Sequence, residues 1–215
     1  MKKFAIILAG NGVYDGAEIH EATLTMLAIM RQGAQYQCFA PNINQHHVIN
    51  HLNGEEMDET RNVLVESARI ARGDIKDLKE FDAEDYDALI LPGGFGAAKN
   101  LSSVAIEGAN ASVNLDVENA IKQMFDNKKP IGALCISPTI IAKVLGDVNL
   151  TIGQDKGTAE IIESFGGKHI ETEHGDVVFD EDKLVFSTPC YMLDASITDI
   201  DDGATNIVKA ILDLG

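Results

Sequence analysis

Apolar positions along the chain fall into short solid blocks separated by helical stripes. Residues 4–9 (Phe4-Ala5-Ile6-Ile7-Leu8-Ala9) form one block, ended by Gly10-Asn11-Gly12. A short unbroken apolar run of this kind predicts a strand buried on both faces. Residues 18–31 carry apolar positions at Ile19, Leu24, Leu27 and Ile29 before Gly33, which predicts a helix with a glycine stop. Its polar positions Glu18, Glu21 and Thr25 share one face, and Leu24 and Leu27 are expected to turn inward. Gln35–Ala40, Ala88–Leu91 and Ile131–Leu134 predict further strands. Residues 62–71, 116–127, 138–145 and 156–165 predict helices, two of them followed by Gly73 and Gly166-Gly167. Residues 41–58 are polar and irregular. Residues 100–114, rich in Ser, Asn, Ala and Gly, predict a mobile surface loop. The tail holds short strand-like pieces at 169–173, 177–180 and 184–188, then a helix over 206–214.

Strand–helix alternation of this kind predicts an α/β fold, a mostly parallel sheet with helices on both faces. No repeat or linker divides the chain, so residues 1–215 are expected to form a single domain. Hydrophobic residues make up 45% and charged residues 24% of the chain, a globular composition that argues against disorder. The formal charge is −17, from 17 Lys+Arg against 34 Asp+Glu. Such a surface repels phosphate backbones and anionic lipid, which argues against nucleic-acid and membrane partners. No run of about 18 apolar residues is present. The apolar N-terminal run is too short for a signal peptide and is expected to be the first strand. Three cysteines, Cys38, Cys135 and Cys190, are too few and odd in number for a disulfide framework. Free thiols suit a reducing compartment, so a cytoplasmic setting is expected.

Four motifs bear on chemistry. Gly10-Asn11-Gly12-Val13-Tyr14-Asp15-Gly16 sits where a dinucleotide fingerprint would lie, but its spacing is one residue too long. No acid ends the second strand either, so a tight turn is the better reading. Pro92-Gly93-Gly94-Phe95-Gly96-Ala97-Ala98-Lys99-Asn100 lacks the Lys-Ser/Thr ending of a phosphate loop. Its glycines can still aim backbone N–H groups into a crevice, or can simply make a turn. Ile131-Gly132-Ala133-Leu134-Cys135-Ile136-Ser137-Pro138 places a cysteine at a strand-to-helix junction. That is the position of a nucleophile elbow, where the helix dipole is expected to lower the thiol's pKa. A buried structural cysteine is the alternative. Glu18 and Glu21 open the first helix, either complementing its dipole or exchanging a proton in the crevice. His47 and His51 have the i, i+4 spacing of a helical metal pair but lack an accompanying carboxylate, so exposed histidines are expected. Lys99 and Asn100 are candidates for the pocket rim.

These motifs, taken together, resemble the class I glutamine amidotransferase-like superfamily, and its PfpI-type and deglycase branch in particular. Longer segments resemble the ElbB family, also called enhancing lycopene biosynthesis proteins. They are Gly12-Val13-Tyr14-Asp15-Gly16-Ala17-Glu18-Ile19-His20-Glu21-Ala22, Leu91-Pro92-Gly93-Gly94-Phe95-Gly96-Ala97-Ala98-Lys99-Asn100-Leu101, and residues 59–64, 150–153 and 188–193. The resemblance spans essentially the whole chain. It implies a flavodoxin-like three-layer α/β sandwich, in a homodimer. It implies a nucleophile at Cys135, an acidic partner at Glu21, and an oxyanion pocket from the Gly94 and Ile136 N–H groups. It implies a slow glutathione-independent glyoxalase acting on small aldehyde substrates such as methylglyoxal and glyoxal, linked to isoprenoid production, with no cofactor and no metal. The rival reading is a non-catalytic redox sensor or partner-binding protein using the same thiol. A glutaminase is the least favoured, because Ile136 follows the cysteine where proteases of this branch carry histidine. His169-Ile170-Glu171 also lies outside the triad context of glutaminases.

Overall fold

The computed structural model describes residues 1–214. Its main sheet has seven strands: β1 (Lys3–Ile7), β2 (Gln35–Ala40), β5 (Ile75–Asp77), β6 (Ala88–Leu91), β7 (Ile131–Leu134), β10 (Val178–Asp180) and β11 (Val185–Thr188). They lie in the order β10-β11-β7-β6-β1-β2-β5. Every neighbouring pair is parallel except β10 with β11. Two small pairings stand apart: β3 (Val48–Ile49) with β4 (Glu56–Met57), and β8 (Asn149–Leu150) with β9 (Lys168–His169). The helices are α1 (Ile19–Arg31), α2 (Val63–Ile70), α3 (Val104–Glu107), α4 (Leu115–Asp126), α5 (Pro138–Leu145), α6 (Lys156–Ser164) and α7 (Ile197–Leu212). Helix α1 packs on α7, while α4 packs on α5 and α5 on α6, giving the three layers.

The central strands explain the solid apolar blocks. Phe4, Ile6, Ile7, Leu89, Ile90, Leu91, Ile131 and Leu134 are fully buried, because helices cover both faces of a parallel sheet. Each such side chain contributes about 1.5–3 kcal/mol relative to exposure. The N-terminal run is an interior strand, hydrogen-bonded to both β2 and β6. Among the described residues no helix is long and apolar enough to cross a membrane.

Three expectations fail, each for a physical reason. Residues 100–114 are not an irregular surface loop, since they contain α3 and have a buried, hydrogen-bonded start. Leu101 is fully buried, and Asn100 Nδ2 donates to Ala9 O at 2.9 Å and to Asp15 O at 2.8 Å. Helix α7 starts at Ile197, well ahead of residue 206, because Ser196 and Asp199 form a capping box. Asp199, Asp201, Asp202 and Gly203 read locally as loop, yet Ile200, Ala204, Ile207 and Val208 make a buried stripe beneath them. Strand β5 went unforeseen, since an edge strand only three residues long carries no periodicity.

Candidate active site

Strands β6 and β7 lie side by side, with Leu91 opposite Ala133, so the segments that follow them meet at the sheet's C-terminal edge. Open α/β sheets bind ligands at this edge. Cys135 follows β7 at φ 59°, and Pro138 opens α5 three residues later. A non-glycine residue in that left-handed region marks strain held by its surroundings, as in a nucleophile elbow. Gly93 and Gly94 follow β6. Glu18 caps α1, accepting from the Glu21 N–H at 2.7 Å. The first turn and the β6 turn are tied together, with Glu18 N donating to Gly93 O at 2.9 Å and Phe95 N to Val13 O at 2.7 Å.

This framework brings Cys135, Glu21, Gly94 and Ile136 into one cluster. Glu21 is fully buried. Its Oε2 accepts from Gly93 N at 2.8 Å, and its Oε1 from Tyr191 N at 3.3 Å. Its carboxyl also hydrogen-bonds the Cys135 side chain, and the Cys135 sulfur accepts from the backbone N–H groups of Gly94 and Ile136. Each member of the pair thus has two backbone donors. Gly93 has no room for a side chain, because a Cβ there would lie 2.4 Å from Cys135 Cβ, 2.9 Å from Sγ and 2.9 Å from Glu21 Oε2.

Burial dominates the electrostatics. It raises Glu21 from 4.5 to about 8, with the Glu18 charge adding to it, against the Gly93 and Tyr191 N–H groups. Burial also pushes the Cys135 thiol well up, helped by the Glu21 charge, and outweighs the Gly94 and Ile136 donors. The expected lowering of the thiol by the helix dipole is therefore corrected. Cys135 is only 7% exposed, and desolvation of a thiolate exceeds what a helix terminus returns. At pH 7 the pair is neutral. Its first negative charge arises near pH 8, and four N–H groups stand ready to receive it on oxygen or sulfur.

The cluster opens onto a cavity of about 320 Å³. Val13, Phe95, Ile136, Tyr191 and Met192 supply apolar wall, and Glu18, Asp155 and Thr158 the side-chain polar groups. No histidine, lysine or arginine lines it among the described residues.

Other candidates go elsewhere. Leu24 packs against the core as expected, but Leu27 is exposed and the polar Glu21 and Thr25 point inward, because the inward face meets the site as well as the core. Lys99 Nζ donates to Tyr14 O at 3.2 Å and lies 2.9 Å from His47 Nε2, and Asn100 is buried under the first turn. Neither lines the cavity. His47 and His51 are not on a helix: His47 precedes β3 and His51 follows it, with His51 Nε2 accepting from Tyr14 N at 3.1 Å. The first glycine motif is a tight turn, with Gly10 and Gly12 at positive φ. Cys38 is a buried core thiol against Met26, raised to about 12 by burial. Cys190 is buried beside the site at φ 44°. Two contributors fell outside the expected site residues. Gly93 looks like any turn glycine, and Tyr191 reaches Glu21 across 170 positions of chain while its hydroxyl pairs with His20 Nδ1 at 2.8 Å.

Comparison with known proteins places this geometry. A Homo sapiens protein named glutamine amidotransferase-like class 1 domain-containing protein 3, mitochondrial, is 44% identical over 222 residues, covering 99% of this chain and 83% of that protein. The Rattus norvegicus ES1 protein homolog, mitochondrial, is 43% identical over 99% of this chain and 84% of its own. The expected cytoplasmic setting is therefore withdrawn, since both relatives are mitochondrial proteins. Free thiols require reducing surroundings but do not specify the compartment. The solved structure of an isoprenoid biosynthesis protein with an amidotransferase-like domain from Ehrlichia chaffeensis superposes with TM-score 0.92 at 38% identity, covering 99% of this chain and 100% of that one. Glyoxalase III from Candida albicans shares the fold, with TM-score 0.64 at 15% identity over 99% of this chain and 96% of its own. The fold is thus the flavodoxin-like, class I glutamine amidotransferase-like sandwich. The DJ-1/PfpI family matches residues 12–187, and this chain belongs to that family.

Proposed function

We propose that this protein is a slow, glutathione-independent glyoxalase of the ElbB type, converting small 2-oxoaldehydes such as methylglyoxal to hydroxy acids. The observation that carries the reading is the buried Glu21–Cys135 pair, with two backbone N–H groups on each partner and an open cavity on one side. In the pair that has lost one proton, the Cys135 sulfur attacks the aldehyde carbon as a thiolate, forming a C–S bond, while Glu21 keeps the proton that remains. The Gly94 and Ile136 N–H groups lie beside the sulfur, where the developing alkoxide would sit. Donors so placed are worth roughly 3–4 kcal/mol each in comparable sites. Glu21 protonates that alkoxide, then removes the hydrogen from the same carbon and returns a proton to the neighbouring carbon, while the hydroxyl proton on the first carbon passes to the neighbouring oxygen, leaving a thioester carbonyl beside a hydroxyl. The resulting thioester is cleaved by water, which releases the hydroxy acid and restores the thiol. Water is the only co-reactant.

With no histidine in the cavity, a single carboxyl carries every proton transfer, which accounts for slow turnover. The same absence weighs against a glutaminase, and a neutral, buried thiol at pH 7 weighs against a sensor that depends on a ready thiolate. The isoprenoid link rests on the ElbB resemblance and on the name of the Ehrlichia relative, and no step is assigned to it. A homodimer belongs to the same proposal. A single-chain mass by sedimentation equilibrium would remove it.

The test is lactate formation from methylglyoxal without glutathione, comparing wild type, Cys135→Ser and Glu21→Gln. Loss of turnover in both variants is expected. No turnover by wild-type protein with a titrated free thiol would overturn the glyoxalase reading.

A further inference from the structure

The cavity is much larger than methylglyoxal requires. A water molecule's share of liquid volume is about 30 Å³, so about 320 Å³ holds roughly ten water-sized groups. Methylglyoxal has five non-hydrogen atoms and would leave about half of the space unfilled. The remaining wall has a definite chemistry. Phe95, Ile136, Met192, Val13 and the Tyr191 ring are apolar, and the charged side chains are Glu18 and Asp155.

Neither carboxylate is neutralised by a cation in the lining. Glu18 is 7% exposed and accepts the Glu21 N–H. No ion pair within 4.0 Å engages it among the described residues. Asp155 caps α6 through the Thr158 N–H at 2.8 Å, and the Thr158 hydrogen bonds hold its carboxyl below the usual range, so it stays ionised. Glu18 is buried and Asp155 exposed, and two carboxylates lining one partly apolar cavity attract a positive group and repel an anion, the buried one more strongly than it would in bulk water. The overall charge of −17 has the same sign.

We propose that the Cys135 pocket selects carbonyl substrates with an apolar body and a positively charged substituent, the body lying against Phe95, Ile136 and Met192 and the charge facing Glu18 and Asp155. Anionic 2-oxo compounds are rejected. The inference rests on reading the cavity as the substrate site and extends it to a substrate class.

The first test needs no turnover. Cys135 is labelled with two methanethiosulfonates, one bearing trimethylammonium and one bearing sulfonate. Each rate is divided by that reagent's rate with free 2-mercaptoethanol, and the site is identified by peptide mass. The cationic reagent is expected to label at least tenfold faster. The ratio should shrink severalfold in Glu18→Gln and in Asp155→Asn, both of which keep a capping oxygen. It should hold in Asp126→Asn, at the opposite end of the sheet. A ratio of one or less overturns the proposal. So does a ratio that both pocket variants leave intact, because it would then report only the general field. The second test is kcat/KM for three arylglyoxals with neutral, carboxylate and trimethylammonium para substituents. The cationic compound is expected to lead the carboxylate at least tenfold, and equal rates overturn the proposal. If none turns over while the labelling preference stands, the glyoxalase reading falls and the pocket's charge selectivity survives.

Discussion

Replacing Glu21 with glutamine tests the electrostatics of the site through stability alone. The folded protein holds the Glu21 proton up to about pH 8, whereas an exposed glutamate releases it near 4.5. Between those values the folded state binds more protons than the unfolded state, so stability falls as pH rises through the window. An interval from 4.5 to about 8 corresponds to about 5 kcal/mol at 1.36 kcal/mol per pH unit. Glu21 is fully buried, so no discount for solvent screening applies. Glutamine has no proton to lose, and its contribution is flat. It does present one acceptor oxygen to two donors, Gly93 N and Tyr191 N, which costs about 1–3 kcal/mol for the group left unpaired. Glu21→Gln is therefore expected to be less stable than wild type at pH 5 and more stable at pH 8, with the two curves crossing between. Urea unfolding at half-unit pH steps measures this. A stability difference constant to within about 0.5 kcal/mol from pH 5 to pH 8 would refute the raised carboxyl. The predicted exchange, activity lost and alkaline stability gained, is the trade-off expected where an active site is paid for in stability.

Turnover of methylglyoxal should rise with pH through about 8, as the Glu21–Cys135 pair loses its first proton; a kcat/KM profile flat from pH 6 to pH 9 would argue against this pair as the reacting one. Gly93→Ala should cut kcat/KM by about 100-fold, because its Cβ displaces Cys135 and Glu21 together. The same change should cost about 1–3 kcal/mol of stability by overpacking, read from a thermal melt. Asn100→Ala should cost about 3 kcal/mol, because it leaves the Ala9 and Asp15 carbonyls and the His46 N–H without their partner. Hydrogen exchange would then show the first turn opening, whereas a truly mobile loop would tolerate the change.

Much of the architecture is legible along the chain because burial on both faces leaves a direct mark. Phe4-Ala5-Ile6-Ile7, Ala88–Leu91 and Ile131–Leu134 are solid apolar blocks for that reason, and the alternation of strand and helix follows from them. The elbow at Cys135 is legible too, since a small-residue strand running into cysteine and a helix-opening proline is a local pattern. Assigning Glu21 rather than Glu18 as its partner needed the family resemblance, because both acids suit the first turn of a helix equally well. Tertiary packing decided the rest. Only the approach of the β6 turn to α1 makes Gly93 irreplaceable, and only the segment after β11 brings Tyr191 to Glu21. The sign of the thiol's pKa shift was misjudged along the chain because a helix dipole is a local property, whereas desolvation depends on everything packed around the group. Sequence order carries what neighbours in the chain impose on one another; a charge buried among residues more than 100 positions apart is set by the fold.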